Sequence, residues 1–198
     1  MSEKISPEVQ QYRRPNFEIQ PLLLNRWSAR SMTGEEMSDE ELLPLFEAAR
    51  WAPSSYNNQS WRFLYAKRNT SHWDAFFNLL VASNQQWAKN AACLVVVVSK
   101  KTFDHNHKPA RTHSFDTGAA WMSLALEAVS RKYVAHGMEG FDYDAARKHL
   151  HVPDDFQVEA MIAIGKRGPK ELLPDDIQKK EFPNDRRPLS EIIKEGGF

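Results

Sequence analysis

Hydrophobic residues recur along the chain at spacings that predict helices and strands in alternation. The clearest helix start is Ser38-x-x-Glu41, a capping-box pattern, and apolar residues follow it at helical spacing as far as Ala49. Pro44 lies inside this helix and removes one backbone hydrogen bond, so we expect its beginning to be distorted. A short apolar helix is predicted ahead of it, at 21–24.

Two longer segments further along also have helical periodicity. Ser71 is placed to cap a helix whose apolar residues, between 73 and 87, fall on one face. The pattern from Asp116 to Lys132 is helical again, and no charged residue occurs between Asp116 and Glu127. A stretch of helix without charge has no side suited to water, so we predict that it is nearly buried, in a core or at a subunit interface.

The strand-like runs are short and rich in β-branched residues. Residues 62–66 indicate one strand, and the uncharged run ACLVVVV at 92–98 is typical of a strand covered on both faces. A second central strand is predicted at 158–164. Ahead of it, residues 137–141 favour a turn, and Asp142 is placed to cap a short helix that ends near Leu150.

The polar segments at the two ends set the domain boundaries. Residues 1–19 contain two prolines and no periodicity, which predicts an extended N-terminal arm. Residues 169–198 are charged and punctuated by proline, and we interpret them as a C-terminal arm of the same domain. The chain is thus predicted to be one domain, at 20–168, with two trailing arms.

Composition excludes several classes of partner. Lys+Arg and Asp+Glu are both 26 among 198 residues, so no electrostatic basis exists for nucleic acid or an anionic membrane as the main partner. Cys93, the one cysteine, lies in an apolar run, where a buried structural thiol is favoured over a nucleophile. The chain shows no signal-peptide pattern and no run of membrane-spanning length, so we predict a cytoplasmic protein.

The stretch APSSYNNQSWRF at 52–63 is dense in hydroxyls and amides. Those groups offer many hydrogen-bond donors and acceptors, but the same residues are common in ordinary turns, so composition leaves both interpretations open. Arg26-x-Ser28-x-Arg30 presents two guanidinium groups and a hydroxyl, which suit a phosphate. The same residues are also compatible with a solvated basic loop.

Two further elements have equally open interpretations. Glu139-Gly140 lies in a turn where glycine lets the backbone approach a ligand closely, although a plain turn explains it as well. Arg186 and Arg187 form a basic pair ahead of Pro188, which either contacts a ligand or is an ordinary surface charge pair. A His-x-His pattern at 105–107 has no third ligand at metal spacing, so we assign no metal site.

Taken together and in order, these motifs resemble the nitroreductase family of flavin enzymes over about residues 20–195. The motifs in chain order are Arg26-x-Ser28-x-Arg30, Pro53-Ser54-Ser55-x-Asn57-x-Gln59 before a Trp-x-Phe strand, Asn84-Gln85, Asp116-x-Gly118-Ala119, Glu139-Gly140-Phe141, Ala163-Ile164-Gly165 and Arg186-x-Pro188-Leu189. The resemblance implies an α+β fold with a central, mainly antiparallel sheet flanked by helices. It also implies an intertwined homodimer whose C-terminal arm reaches the partner subunit.

The resemblance also implies how FMN is held at the dimer interface. Residues at four positions near the start match contacts to the phosphate and ribityl chain: Arg26, Trp27 through its backbone, Ser28 and Arg30. The loop residues Pro53, Ser54, Ser55 and Asn57 match a segment that reaches the flavin from the partner subunit. Asn84 matches an amide at the polar edge of the ring or the ribityl chain, Glu139 and Gly140 match backbone donors near N5 and O4, and Arg186 matches a phosphate contact.

The implied activity is an FMN-dependent oxidoreductase that NADH or NADPH reduces and that a nitroaromatic, a quinone or a similar small acceptor reoxidises by a ping-pong mechanism. No side chain has to act as acid or base, so no catalytic residue is named. Two alternatives stay open: a flavoenzyme of the same fold with another reaction (enone reduction, dehalogenation or flavin breakdown), or a flavin-binding protein without turnover. The sequence does not choose between NADH and NADPH.

Three positions depart from the family pattern or vary within it. Ser60 replaces a usual proline, which puts the stiffness of the 52–63 loop in doubt. Trp87 stands where some members have a lysine, and it is either core or a flank of the flavin, with core the favoured interpretation. The His-rich loop at 101–114 occupies the place of the family's variable substrate lid.

Overall fold

An antiparallel sheet forms the centre of the fold. The structure is a computed structural model that describes residues 4–198, and these contain a four-stranded sheet in the order β1-β2-β4-β3. The strands are β1 Trp61–Lys67, β2 Cys93–Lys100, β3 Tyr133–Met138 and β4 Phe156–Lys166. Each neighbouring pair is antiparallel, which confirms the sheet that the sequence predicted.

Helices cover both faces of this sheet. Their bounds are α1 Pro7–Gln10, α2 Pro21–Asn25, α3 Asp39–Arg50, α4 Trp73–Phe77, α5 Ala82–Ala88, α6 His113–Ser130, α7 Tyr143–His149, α8 Asp175–Gln178 and α9 Leu189–Ile192. Helices α3 and α6 pack on each other and on one face, whereas α4, α5 and α7 contribute to the core on the other. Strand β2 is buried on both faces, as its uncharged sequence predicted.

Helix α3 begins at the predicted capping box. The Ser38 hydroxyl accepts from the Glu41 N–H, and the Glu41 carboxylate accepts from the Ser38 N–H at 2.9 Å. The helix then runs without a break from Asp39 to Arg50, through Pro44. The Tyr133 hydroxyl donates to Glu41 at 2.8 Å, so the N-terminus of α3 is also tied to β3.

The prediction of one helix from Ser71 to Trp87 was wrong. Two helices, α4 and α5, occupy the segment, and the residue before α4 is His72, so Ser71 is not the cap. The chain between them pairs with the turn after β3 instead: Leu80 and Phe141 form an isolated bridge, and the Val81 N–H donates to the Gly140 carbonyl at 3.1 Å. Periodicity did not reveal this long-range pairing, which places α5 beside that turn.

Strand β3 was missed, because Tyr133–Met138 is short and follows a long helix directly. Gly137 therefore lies within a strand rather than in the predicted turn, which begins only after Met138. A Cβ added at Gly137 would lie 3.2 Å from the Trp121 ring of α6. The glycine thus allows close packing of the helix on the strand.

Both arms pack on their own chain more than predicted. Residues 1–19 include the short helix α1, whose Val9 is buried, so the N-terminal arm is not simply extended. In the C-terminal arm, Leu173, Ile177 and Glu181 are buried in the same protomer. That arm becomes exposed from Asn184 onward, and its reach toward a partner subunit stays a prediction.

Within the described range 4–198, no helix combines the length and apolar character needed to cross a membrane.

Candidate functional site

The segment after α2 brings two of the predicted phosphate contacts together. The Arg26 guanidinium donates to the Ser28 hydroxyl at 3.4 Å. Burial lowers the pKa of Arg26, and repulsion from Arg186 lowers it further. Arg186, from the other end of the chain, is thus close enough to Arg26 for their charges to repel, and a shared phosphate contact stays a prediction.

A third arginine, which sequence reasoning missed, belongs to the same cluster. Arg13 lies in the N-terminal arm and is buried. Its guanidinium donates to the Leu24 carbonyl, to the Arg26 carbonyl at 2.8 Å and to the Asn184 carbonyl at 2.9 Å. No local pattern marks such a residue, because its three acceptors are backbone groups of other segments.

Arg30 has a different environment from Arg26. Its backbone N–H donates to the Glu181 carboxylate at 2.9 Å, and its guanidinium lies 4.0 Å from the same group. The fully buried Glu181 also accepts from Arg167 at 2.6 Å. A carboxylate thus already partly offsets the charge of Arg30, and an anionic ligand would find less free positive charge there than beside Arg26.

Trp27 lies between these two arginines in sequence and packs outside the arginine cluster. The Arg167 guanidinium lies 4.6 Å from the centroid of the Trp27 ring, a cation–π contact. This contact places the Trp27 side chain beside Arg167, and the ribityl contact through its backbone stays a prediction.

Asn84 and Gly140 are in direct contact. The Asn84 Nδ2 donates to the Gly140 carbonyl at 3.0 Å, and a Cβ added at Gly140 would lie only 2.8 Å from that nitrogen. The Phe141 N–H donates to the Glu139 carbonyl at 2.9 Å, which turns that carbonyl inward. Because a trans peptide points its N–H opposite to its C=O, the Gly140 N–H points out of the turn, where a ligand can meet it.

The predicted loop is held in a strained, well-defined shape. Left-handed backbone angles occur at Tyr56, Asn57 and Gln59, with φ of 52°, 53° and 49°. The Ser55 N–H donates to the Asp116 carboxylate at 3.0 Å, and the Ser54 hydroxyl accepts from the Gln59 N–H at 3.0 Å. Backbone strain of this kind clusters at functional sites, and the role of this loop at a ligand stays a prediction.

The loop side chains that we expected to face a ligand are accessible. Pro53 and Asn57 are exposed, and Ser54 and Ser55 are half-buried. Ser60, which replaces the usual proline, is buried and accepts a hydrogen bond from the Asn58 amide at 3.0 Å. That bond restrains the end of the loop, as the proline ring does in family members that have a proline at this position.

The loop and the Gly140 turn lie at opposite edges of the sheet. The loop precedes β1 and the turn follows β3, and these are the two edge strands in the order β1-β2-β4-β3. Three interstrand spacings separate them, which is roughly 14 Å. The loop and the turn are therefore carried by opposite edges of one protomer's sheet.

Trp87 and His136 form a buried aromatic pair behind the Arg26–Arg30 segment. Their ring centroids are 4.6 Å apart, and His136 Nδ1 bonds the Ala29 carbonyl at 2.9 Å. Burial lowers the pKa of His136 to about 4, against the weaker opposing effect of the Ala29 hydrogen bond. Trp87 is thus a core residue, the favoured interpretation, and its neighbour His136 gave no sequence signal of its own.

The polar residues at the start of α6 form a docking network. The Ser99 hydroxyl bonds His113 Nδ1 at 2.7 Å and donates to the Glu159 carboxylate, which also accepts from Ser114 at 2.7 Å. Ser99 is fully buried, and its one hydroxyl oxygen contacts both His113 and Glu159. His113 therefore does not lie between the serine and the carboxylate, as it would in a catalytic triad. The network anchors α6, and with it Asp116 and the loop.

Cys93 and the remaining histidines have no part in these contacts. Burial raises the pKa of the Cys93 thiol to about 12, which agrees with a structural thiol. His105 packs beside Tyr56 and Phe103, with ring centroids 5.7 and 5.4 Å away. In the described part of the chain, no three His, Cys, Asp or Glu side chains are grouped so that they could hold a metal ion.

Comparison with known proteins identifies the class to which this arrangement belongs. Residues 23–166, more than half of the chain, match the model of the nitroreductase family. The chain belongs to the nitroreductase family, as the order of its motifs predicted.

Solved structures and a curated relative agree with this assignment. A structure described as an oxidoreductase containing FMN is 45% identical, with a TM-score of 0.90, over 94% of this chain and 96% of that chain. A putative nitroreductase in complex with FMN from Desulfovibrio desulfuricans shares the fold, with a TM-score of 0.69 and 24% identity over 98% of this chain and 99% of that chain. The putative NAD(P)H nitroreductase MhqN of Bacillus subtilis is 24% identical over 85% of this chain and 94% of its own length.

Proposed function

We propose that this protein is an FMN-dependent NAD(P)H oxidoreductase that reduces nitroaromatics, quinones or similar small acceptors. The observation that carries the proposal is the meeting of Arg26, Ser28 and Arg186 at one place in a nitroreductase-family fold. The similar structure described as an oxidoreductase containing FMN supports the cofactor, and the curated name of the Bacillus subtilis relative supports a nicotinamide donor.

The residues present fit the two ends of FMN. Arg26 and Arg186 supply positive charge for a phosphate, and Ser28 lies within reach of the same group. At the ring end, Gly140 offers a backbone N–H in a place where a Cβ would collide with Asn84. We assign Trp27 and Arg30 to the ribityl side, and Glu139 and Gly140 to the N5 and O4 side.

We further propose that the protein is a homodimer and that the loop with Pro53, Ser54, Ser55 and Asn57 contacts the flavin held by the partner subunit. The separation of loop and turn across the sheet supports this, because two copies can bring together what one holds apart. Helix α6 adds support: it has no charge between Asp116 and Glu127, yet Phe115 on it is 81% exposed. An exposed phenylalanine ahead of an uncharged, partly buried stretch of helix suits burial against a second copy.

The protein contributes binding, orientation and electrostatics. When bound, FMN supplies the redox chemistry itself, by taking up a hydride and passing it on. The Gly140 N–H, aimed out of its turn, favours negative charge at the ring edge that it meets. The nicotinamide product would leave before the acceptor takes the same place, and this order predicts ping-pong kinetics. A cytoplasmic location completes the proposal.

The absorption spectrum of the purified protein tests the proposal. We expect a flavin spectrum, bleached by NADPH or NADH without oxygen and restored by a nitroaromatic or a quinone. A protein that stays colourless after addition of FMN would overturn the cofactor assignment. A bound flavin that neither nicotinamide reduces would instead show a binding protein without turnover.

A further inference from the structure

The N-terminal arm carries an arginine whose contacts join three distant parts of the chain. Arg13 donates to the carbonyls of Leu24 and Arg26 at the end of α2 and to the carbonyl of Asn184 in the C-terminal arm. The bond to Asn184 joins residues 171 positions apart. These bonds hold the backbone on both sides of the space between Arg26 and Arg186.

The cluster has an excess of positive charge. The pKa of Arg13 is lowered to about 10, most of all by burial and then by repulsion from Arg186 and Arg26, against a weaker attraction to Asp185. Three guanidinium groups held together in this way repel one another, so an anion between them stabilises the arrangement. Arg13 and Arg186 also line a cavity of about 550 Å³, through which a ligand can reach them.

We propose that Arg13 is a positioning residue that assembles the phosphate end of the flavin site from the two arms, so that the site selects a flavin with a terminal phosphate. The inference rests on the proposed function. Arg13 acts on Arg26 and Arg186 through the backbone that it holds, and its charge adds to theirs. FMN binding and docking of both arms are therefore linked.

Paired titrations with FMN and riboflavin test the role, because the two flavins differ only in the phosphate. Flavin is removed from the full-length protein, and quenching of flavin fluorescence gives each affinity. We expect Arg13→Ala to weaken FMN binding about 10- to 100-fold and riboflavin binding less than about 3-fold. An equal loss for both flavins would reduce Arg13 to a structural residue and overturn the proposal.

Arg13→Lys separates positioning from charge. Lysine keeps the positive charge but is a point donor that does not hold three carbonyls in a fixed fork. We expect it to lose most of the FMN preference, like Arg13→Ala. Full recovery of FMN affinity in Arg13→Lys would show that charge alone matters and would contradict the positioning role.

Arg147 offers a matched control elsewhere in the fold. Its guanidinium also donates to three carbonyls, those of Val152, Pro153 and Phe156. Arg147→Ala removes an equivalent backbone clamp away from the arginine cluster, so we expect lower thermal stability with an unchanged ratio of FMN to riboflavin affinity. A changed ratio in this variant would show that loss of any such clamp produces the effect, which would contradict a specific role of Arg13.

Limited trypsin digestion tests the same linkage in the wild-type protein, whether or not the variants fold. Trypsin can cut after Arg13 and Arg186, whereas the bonds after Arg14 and Arg187 precede proline. We expect saturating FMN to slow both cuts at least about 10-fold more than saturating riboflavin does. Equal protection by both flavins would overturn the inference but leave the flavin function intact, and binding of neither flavin would overturn the proposed function itself.

Discussion

Gly140 shows how closely one residue constrains this site. A Cβ at that position would lie 2.8 Å from Asn84 Nδ2, closer than real Cβ atoms approach, and 3.0 Å from Val81 Cγ2, which is a tight contact. Asn84 would have to move and give up its bond to the Gly140 carbonyl. The turn and α5 would then separate at the place where the proposed flavin edge lies.

Substituting Gly140 tests this contact. We expect Gly140→Ala to lower the free energy of unfolding by about 1–3 kcal/mol, measured by urea denaturation, and to weaken FMN binding. Gly197→Ala is the control, because nothing lies within 4 Å of a Cβ there. Equal stability of the two variants would show that the turn accommodates a side chain.

His136 links pH to stability at the residue scale. Its pKa is lowered from 6.5 to about 4 by burial, so it is neutral in the folded protein while the unfolded chain binds a proton below about pH 6.5. The stability that the fold has with His136 neutral is fully present above pH 6.5 and is lost as the pH falls toward 4. Its size is about 2–3 kcal/mol.

We therefore expect His136→Gln to lose less stability than wild type between pH 7 and pH 4.5, by about 2 kcal/mol, in urea denaturation at each pH. Glutamine keeps a donor for the Ala29 carbonyl but does not titrate. His151→Gln, an exposed histidine, serves as the control and should follow wild type. Parallel curves for His136→Gln and wild type would assign the acid sensitivity to other groups.

At the scale of elements, α6 positions the loop that precedes β1. Asp116 in its first turn is buried and accepts from the Ser55 N–H at 3.0 Å and from the Thr112 hydroxyl at 3.3 Å. The loop contains three non-glycine residues in left-handed conformations, so it depends on such contacts to keep its shape.

Removing the carboxylate should release this loop. We expect Asp116→Ala to lower the free energy of unfolding by about 1–3 kcal/mol, because the Ser55 N–H loses its partner. If the loop contacts a flavin as proposed, FMN affinity falls as well, by fluorescence titration. Asp116→Asn retains an acceptor, so its stability and FMN affinity should lie between those of wild type and Asp116→Ala. An Asp116→Ala protein with the FMN affinity of wild type would show that the loop does not contact the cofactor.

The sequence was most informative where local chemistry determines structure. The Ser38–Glu41 capping box and the uncharged strand β2 were predicted correctly, because a cap and a doubly buried strand have local signatures. Strand β3 and the break between α4 and α5 were missed, because both depend on pairing with distant segments. Among the candidate site residues, the motifs indicated Arg26 and Arg186, but they did not show Arg13, whose partners are backbone carbonyls elsewhere.

At the scale of the whole molecule, the exposed apolar residues near α3 and α6 predict self-association. Phe115, in the first turn of α6, is 81% exposed, and Trp51, directly after α3, is 74% exposed. We expect a dimer at micromolar concentration in sedimentation velocity, and we expect Phe115→Glu to shift it toward monomer and weaken FMN binding together.

Leu172→Glu, at a residue 45% exposed in the C-terminal arm, is the control for adding a charge to an apolar surface position. A wild-type monomer that still binds FMN tightly would contradict the proposed shared site. A dimer that resists Phe115→Glu would place the interface on another face.

The contact between Arg13 and Asn184 also has a consequence for biosynthesis. A ribosome adds Asn184 long after Arg13, because 171 positions separate them. The nascent chain can build its sheet before then, but it does not complete the arginine cluster until the segment with Asn184 and Arg186 has been translated. Flavin retention would then report that this segment has been made, and a chain terminated before Asn184 would lack the cluster even with a folded core.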